Sequence, residues 1–328
     1  MKEINIGILG FGNVGGGTYK ILEDNKPLIT KRTNHNIIVK KVLVSNINKD
    51  RAFKINKELL TTNPDDIINN GDIDIVVEAM GGIEPATEYM IKAMNNKKNI
   101  VTANKAAVAS NYESLNETAA NNGVLLLTEA CVAGAIPALS SIKTSLQGNR
   151  FYEVSGILNG TTNYILSKMY NEGRKYEDVL KEAQEKGFAE MDPTDDVMGI
   201  DVANKLSILI SLVFEKYVHP KNISTKGINN ITIDDILKAK NDNKKIKLIG
   251  SATLSESNEL TYKVEPIMIT SDNPLYNVDD EFNAVYVKGD AFGELMYYGK
   301  GAGPLPTGSA VVGDIISIVK NGGKNDTF

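Results

Sequence analysis

The 328-residue chain has little of what several protein classes depend on. Its single cysteine, Cys131, cannot form an internal disulfide, and two histidines cannot supply a His-rich metal site. A stapled secreted fold and a zinc hydrolase are both disfavoured on those grounds. There is no basic excess: 36 Lys+Arg against 41 Asp+Glu give a formal net charge of -5. That balance argues against a protein held on nucleic-acid phosphates. No run approaches the ~20 apolar residues of a membrane helix. The start, Met1–Gly10, enters a glycine loop without the basic, long apolar and small-residue order of a signal peptide. A cytoplasmic protein with no nucleic-acid or membrane partner is expected. What is present, 42% hydrophobic and 23% charged residues, suits folded domains with cores, about two of them at ~100–200 residues each.

Short β-branched runs alternate with helical patterns through the first third. They are Ile4–Leu9, a helix from about Gly12 to Leu28, Ile37–Val44, and Ile73–Glu78 followed by a helix through Met94. Asn99–Thr102 and Val124–Thr128, flanking a helix at Tyr112–Asn121, extend this rhythm into an open, doubly wound parallel sheet. Beyond Ala130 the pattern changes. A helix at Pro137–Leu146, a strand at Phe151–Leu158 and a Gly/Thr turn at Asn159–Thr162 precede helices at Tyr164–Tyr170, Tyr176–Lys186 and Gly199–Phe214. Strands follow at Ile246–Leu254, Leu260–Met268 and Asn283–Gly289, with Lys238–Lys245 read as a solvated connection. Thr307–Lys320 reads as a small-residue helix that packs back onto the first half. The fold class is therefore α/β: a Rossmann-like dinucleotide-binding domain at residues 1–130 with 302–328, and an α+β domain at 131–301.

Gly10, Phe11, Gly12, Asn13, Val14 and Gly15 close the first strand and open a helix, the setting of a dinucleotide fingerprint. Gly10 allows the tight turn, Gly12 lets backbone N–H groups approach a pyrophosphate, and Gly15 permits close helix–sheet packing. An acid closing the second strand would accept ribose hydroxyls, but Ser45 and Asn46 stand there. Lys49 and Arg51, just beyond, suit a 2′-phosphate. NADP is favoured and NAD is the open alternative.

Glu190, Asp192, Asp195, Asp196, Asp201 and Lys205 crowd around a helix start. Asp201 and Lys205 share one helical face at i,i+4 spacing amid Ile200, Val202, Leu206 and Ile208. Burial lowers a lysine pKa and a neighbouring carboxylate raises it, so both protonation states stay open. In either, Lys205 can give a proton to a carbonyl oxygen as hydride reaches the carbon. Capping is the plain alternative for Asp192, Asp195 and Asp196, and a structural ion pair for Asp201 with Lys205.

Together with Asn159-Gly160-Thr161-Thr162-Asn163, this block resembles the homoserine dehydrogenase family. The resemblance spans essentially the whole chain. It includes the glycine loop, Val101–Lys105, Glu129–Pro137 and Gly299–Gly303. It implies an NAD(P)-dependent interconversion of L-aspartate 4-semialdehyde and L-homoserine, with an amino acid as substrate, a homodimer as the assembly and 131–301 as the catalytic, substrate and dimerisation domain. On matching positions, Lys205 resembles the family's proton donor and acceptor, and Lys105 a second lysine that meets nicotinamide and substrate. Glu190, Asp196 and Asp201 match the acids around the substrate, and Thr161 with the backbone of Asn159–Thr162 a set of donors to its carboxylate. Carboxylates are what an α-ammonium group requires. Glu129, Val132, Gly134 and Ile136 match a monovalent cation site, expected to take Na+ through one carboxylate and backbone carbonyls. Gly187, Gly303 and the Gly81–Gly82 pair resemble further coenzyme contacts. Many bacterial relatives continue into a regulatory ACT domain. The sequence ends eight residues after Lys320, so a short form is expected.

Two other readings share the glycine loop. A sugar or inositol dehydrogenase would carry Glu-Lys-Pro where Ala103-Asn104-Lys105-Ala106 stands. A non-catalytic NADP sensor would be expected to have lost the lysine or the carboxylates, which remain.

Overall fold

Six parallel strands build the first of two units. The computed structural model describes residues 2–322; Met1 and residues 323–328, assigned from sequence to the dinucleotide-binding domain, lie outside the described residues. The chain divides into Met1–Ala135 with Ala302–Phe328, and Ile136–Gly301.

The first unit runs β1 (Lys2–Leu9), α1 (Asn13–Asp24), α2 (Lys26–Thr33), β2 (His35–Leu43), β3 (Leu60–Thr61), α3 (Asp65–Ile68), β4 (Ile75–Glu78), α4 (Ala86–Asn95), β5 (Asn99–Thr102), α5 (Lys105–Ser110), α6 (Tyr112–Asn122) and β6 (Leu126–Leu127). Its sheet order is β3-β2-β1-β4-β5-β6, parallel throughout. The order reverses between β1 and β4, which opens a crevice beyond the carboxyl ends of those strands. Ile6, Ile8, Leu9 and Ile75–Val77 are buried without alternation, as parallel strands covered on both faces require. The C-terminal helix Pro304–Lys320 crosses α1 where a Cβ on Gly17 would come 2.0 Å from the Pro304 carbonyl oxygen. Its Val311, Ile315 and Ile318 share a core with Ile6, Ile8 and Leu22. The single helix expected over Gly12–Leu28 is two. Asn25 separates α1 from α2, and Pro27, which lacks the N–H a continuous helix would donate to Glu23, sits in the first turn of α2.

The second unit contains α7 (Ala138–Ser145), β7 (Phe151–Ile157), α8 (Gly160–Glu172), α9 (Tyr176–Glu185), α10 (Thr194–Val197), α11 (Ile200–Phe214), β8 (Ser224–Thr225), α12 (Ile233–Asn241), β9 (Lys245–Leu254), β10 (Leu260–Ile269), β11 (Phe282–Gly289) and β12 (Gly293–Lys300). The sheet order is β12-β11-β7-β9-β10-β8, antiparallel except where β8 meets β10. A Rossmann-like sheet and an α+β unit are thus the observed fold class.

Two expectations here are corrected. Asn159–Thr162 is no loop turn: Asn159 caps α8, and Gly160–Thr162 form its first turn. Lys238–Lys245 is a solvated connection only in part, over the exposed turn at Asp242 and Asn243. Lys238–Asn241 ends α12, which begins with a Thr232/Asp235 capping box and buries Ile236 and Ala239, while Lys245 opens β9 as a buried residue. Strand β12 escapes a sequence reading because its residues are mostly exposed on both faces and leave no alternation to detect.

Candidate active site

In the first unit Gly10 takes φ +96°, and a Cβ there would lie 2.6 Å from the Ala79 carbonyl oxygen. A Cβ on Gly15 would lie 2.1 Å from the Gly10 carbonyl oxygen, so α1 starts hard against the loop. Gly12 differs, since nothing stands within 4 Å of the Cβ it lacks. Its bare Cα faces open space, and no side chain caps the N-terminus of α1. The free N–H groups of that first turn and the positive end of the helix dipole are left for an anion. Gly10–Asn13 line a cavity of about 600 Å³ with Ser45, Lys49, Arg51 and Met80. These residues fit a dinucleotide: a glycine whose side chain would fill the cradle, uncapped donors, and basic residues along one wall. Val14 and Gly15 belong to α1 itself.

Gly12→Ala is accordingly expected to leave the melting temperature nearly unchanged and to weaken coenzyme binding about tenfold or more, as isothermal titration would measure. Gly17→Ala, which meets backbone, should do the reverse.

The basic loop also contains a structural surprise. The Arg51 guanidinium donates to the carbonyls of Asn46, Ile47 and Lys49, so it holds its own loop together. Lys49 is exposed.

At the carboxyl end of β5, Asn104 caps α5 by accepting from Ala107 N at 3.1 Å, which sets Lys105 as the helix's first residue. Cys131 is buried and donates to the Thr102 carbonyl at 3.3 Å. Burial first, then the nearby Glu78 and Asp314, push its thiol well up, the condition of an unreactive cysteine.

The second unit gathers the acid and lysine cluster. Helix α11 is apolar nearly all round and correspondingly buried, and it takes Asp201 and Lys205 inside with it, at 5% and 9% exposure. Lys205 Nζ donates to Asp201 Oδ2 at 2.7 Å and to the Leu158 carbonyl at 2.6 Å. Asn159 Nδ2 donates to Asp201 Oδ2 at 2.9 Å and to Asp196 Oδ1 at 2.6 Å. Its Oδ1 accepts from Thr162 N at 2.8 Å. One amide therefore caps α8 and holds two carboxylates. Burial, reinforced by the charge of Asp201, raises the Asp196 carboxyl against the opposing bond from Asn159. A pair this enclosed is not the exposed i,i+4 pair worth a few tenths of a kcal/mol, because removing one partner leaves a buried charge uncompensated.

Other candidates fall elsewhere. Glu190 is exposed on the loop after α9, where its carbonyl accepts from Gln184. Among the described residues no hydrogen bond joins its carboxylate to Lys205, Asp196 or Asp201. Asp192 accepts from Thr194 N and Oγ1, which lowers its carboxyl and closes a local turn ahead of α10, whose N-cap is Pro193. Thr161 Oγ1 donates to the Phe188 carbonyl at 2.6 Å. Gly187, at φ +75°, lies just past the end of α9, and Gly303, at φ +117°, precedes the C-terminal helix. Glu129 is buried and its N–H donates to Asp314 Oδ2 at 3.0 Å. Ala133 and Gly134 both adopt left-handed φ, +56° and +55°. Val132, Gly134 and Ile136 are buried, and the Ile136 carbonyl already accepts from Ala138 N. Among the described residues no cluster of three or more His, Cys, Asp or Glu is placed to hold a metal. Any ion at this loop has to rely on carbonyl oxygens.

Sequence reasoning places Asn159 but misses what its side chain does, since its partners lie 37 and 42 residues away. It also passes over the buried carboxylate of Glu78. A carboxylate ending an otherwise apolar strand is the available signal.

A Rossmann-like unit with a glycine loop at its switch point, and an α+β unit enclosing a lysine–carboxylate cluster, define a nicotinamide-dependent oxidoreductase acting on a CH–OH group. Residues 10–129 match the family model described as "Homoserine dehydrogenase, NAD binding domain", and residues 137–316 match the one described as "Homoserine dehydrogenase". The chain belongs to the homoserine dehydrogenase family. It is 43% identical over 321 residues to the homoserine dehydrogenase of Bacillus subtilis, an alignment covering 98% of this chain and 74% of that protein. Among solved structures it is similar to a homoserine dehydrogenase from Thiobacillus denitrificans, with TM-score 0.93 and 44% identity over 98% of this chain and 74% of that one. It is also similar to a putative homoserine dehydrogenase from Archaeoglobus fulgidus, with TM-score 0.87 and 33% identity over 96% and 99% of the two chains. Among the described residues no helix is long and apolar enough to cross a membrane.

Proposed function

We propose that this homoserine dehydrogenase, which interconverts L-aspartate 4-semialdehyde and L-homoserine on the route to threonine, methionine and isoleucine, uses Lys205 as its proton donor and acceptor. The observation that carries this reading is the enclosed Lys205–Asp201–Asn159–Asp196 cluster. When bound, the reduced nicotinamide supplies the hydride for the aldehyde carbon. Lys205 has its Nζ held by Asp201 and the Leu158 carbonyl, and gives its remaining proton to the substrate's developing alkoxide. Asp196 and Asp201 receive the substrate ammonium, and Glu190 joins them from its exposed loop. Lys105, first residue of α5, is the second lysine and serves the nicotinamide side.

The coenzyme is NADP in preference to NAD, with Lys49 rather than the already engaged Arg51 meeting the 2′-phosphate. Gly187 and Gly303 add coenzyme contacts. Residues 1–130 with 302–328 form the dinucleotide-binding domain, and 131–301 the catalytic and dimerisation domain of a cytoplasmic homodimer. Glu129 with the carbonyls of Val132, Gly134 and Ile136 binds a sodium ion.

The test is the fall of nicotinamide absorbance when purified protein meets aspartate 4-semialdehyde with NADPH or NADH, in sodium chloride and in a bulky organic cation chloride. Turnover faster with NADPH and reduced without sodium is expected. A folded protein inert with both coenzymes would overturn the assignment, and equal rates in both salts would remove the sodium site.

A further inference from the structure

Glu78 ends β4 with 0% of its surface exposed, beside the point where the strand order reverses. Its carboxylate faces only donors. Met80 N reaches Oε1 at 2.8 Å, Asn104 Nδ2 reaches the same oxygen at 3.4 Å, and Thr102 Oγ1 reaches Oε2 at 2.6 Å. Such surroundings satisfy an ionised carboxylate and leave the NH2 of a carboxamide facing a donor.

These bonds hold two segments. One is Met80–Gly82, which turns through φ +79° and +73° at its glycines and packs against Gly10, where a Cβ would come 2.9 Å from Met80 Cα. The other is Asn104, whose Nδ2 also donates to the Gly82 carbonyl at 2.6 Å and whose Oδ1 caps the helix that begins with Lys105. Thr102 Oγ1 closes the ring by accepting from Asn104 N at 3.0 Å. A dinucleotide at this kind of switch point lies with one mononucleotide half over β1–β3 and the other over β4–β6. The basic loop after β2 lies on the first half, so the segments fixed by Glu78 lie on the second, the nicotinamide half.

We infer that Glu78 is the positioning residue of the nicotinamide half of the coenzyme site, fixing the Met80–Gly82 loop and Lys105 in one arrangement. The inference rests on the role of Lys105 proposed above. Burial raises the Glu78 carboxyl, and the bonds from Thr102, Met80 and Asn104 oppose that rise. Thr102, Met80 and Asn104 thus commit three hydrogen bonds to a group that an apolar strand end would lack.

The experiment compares wild type, Glu78→Gln and Thr102→Val for binding of two ligands, NADPH and 2′-phospho-ADP-ribose, which lacks the nicotinamide. If Glu78 positions the nicotinamide half, the fragment binds each variant within about twofold of wild type while NADPH weakens about tenfold. The kcat then falls about a hundredfold, the scale of a small misplacement of a reacting group. Equal weakening of both ligands marks general damage to the unit, and unchanged NADPH binding removes the role. Either result overturns the inference. Thr102→Val has nearly the parent shape and removes one donor to Glu78, so it separates the same outcomes if Glu78→Gln does not fold. The role of Lys105 fails separately, if Lys105→Ala in an otherwise wild-type chain keeps full kcat.

Discussion

Replacing Lys205 with alanine is expected to lower kcat about 10²–10⁴-fold, the usual contribution of a positioned proton donor. At 1.36 kcal/mol per decade this is a barrier increase of about 2.7–5.4 kcal/mol. The residue is also half of a buried pair, so Lys205→Ala takes from Asp201 the ammonium at 2.7 Å and leaves in place the Asn159 Nδ2 bond at 2.9 Å. Breaking a buried pair by removing one partner costs about 3–5 kcal/mol of stability. The two effects separate in Lys205→Arg, which keeps a cation beside Asp201 but, being always charged in proteins, does not release a proton. Steady-state rates read beside calorimetric melting distinguish them. Arginine should restore much of the lost melting temperature while kcat stays at least about a hundredfold down. An arginine variant within about threefold of wild-type kcat would show that no proton passes through this position.

The parts of the fold legible in the sequence are those whose cause is local. Asn99–Thr102 is legible with its observed bounds because the β-branched residues Ile100, Val101 and Thr102 follow directly on the polar stretch Asn95–Asn99. The Asp201–Lys205 pair is legible because i,i+4 spacing within an apolar helix puts both groups on one face, and burial of α11 then forces them together. The start of helix α8 is not. Gly160, Thr161 and Thr162 are weak helix formers, and the turn is held by the Asn159 cap and by an approach so close that a Cβ on Gly160 would lie 2.7 Å from the Glu281 carbonyl oxygen. That cause lies over a hundred residues away along the chain. Glu78 escapes for the same reason, since two of its donors come from β5 and the residue capping α5. Residues whose meaning depends on partners from distant segments carry no periodic mark.

Lys247 is the extreme case, and it sets the largest expected stability effect. Its side chain is 1% exposed in β9. Nζ meets Asp279 Oδ1 at 2.8 Å, Asn163 Oδ1 at 2.9 Å and the Val278 carbonyl at 2.5 Å. The other carboxylate oxygen, Oδ2, takes Lys245 at 2.7 Å, whose ammonium also lies 4.7 Å from the Tyr276 ring centroid. Asp279 thus pairs with two enclosed lysines at once. Burial alone would raise its carboxyl, but the bonds from Lys245 and Lys247 outweigh that and hold it low. Burial lowers the Lys247 ammonium even with Asp279 beside it. Asp279→Asn should therefore cost about 3–5 kcal/mol at neutral pH, the scale for stranding a buried charge. In wild type the depressed carboxyl contributes stability that is present above the ordinary Asp range near about 3.9 and lost as pH falls through its folded value. The variant depends on pH in another window. Without its counter-ion Lys247 is driven further below the unfolded value of about 10.4. Between the two values the unfolded chain binds more protons, so the variant's stability rises with pH and its deficit narrows towards alkaline solution. Urea unfolding at pH 3 and 5 reads the first sign, and at pH 6, 7.5 and 9 the second. A deficit below about 1 kcal/mol, or one that does not change across that range, would mean that Lys247 does not depend on Asp279 for its charge.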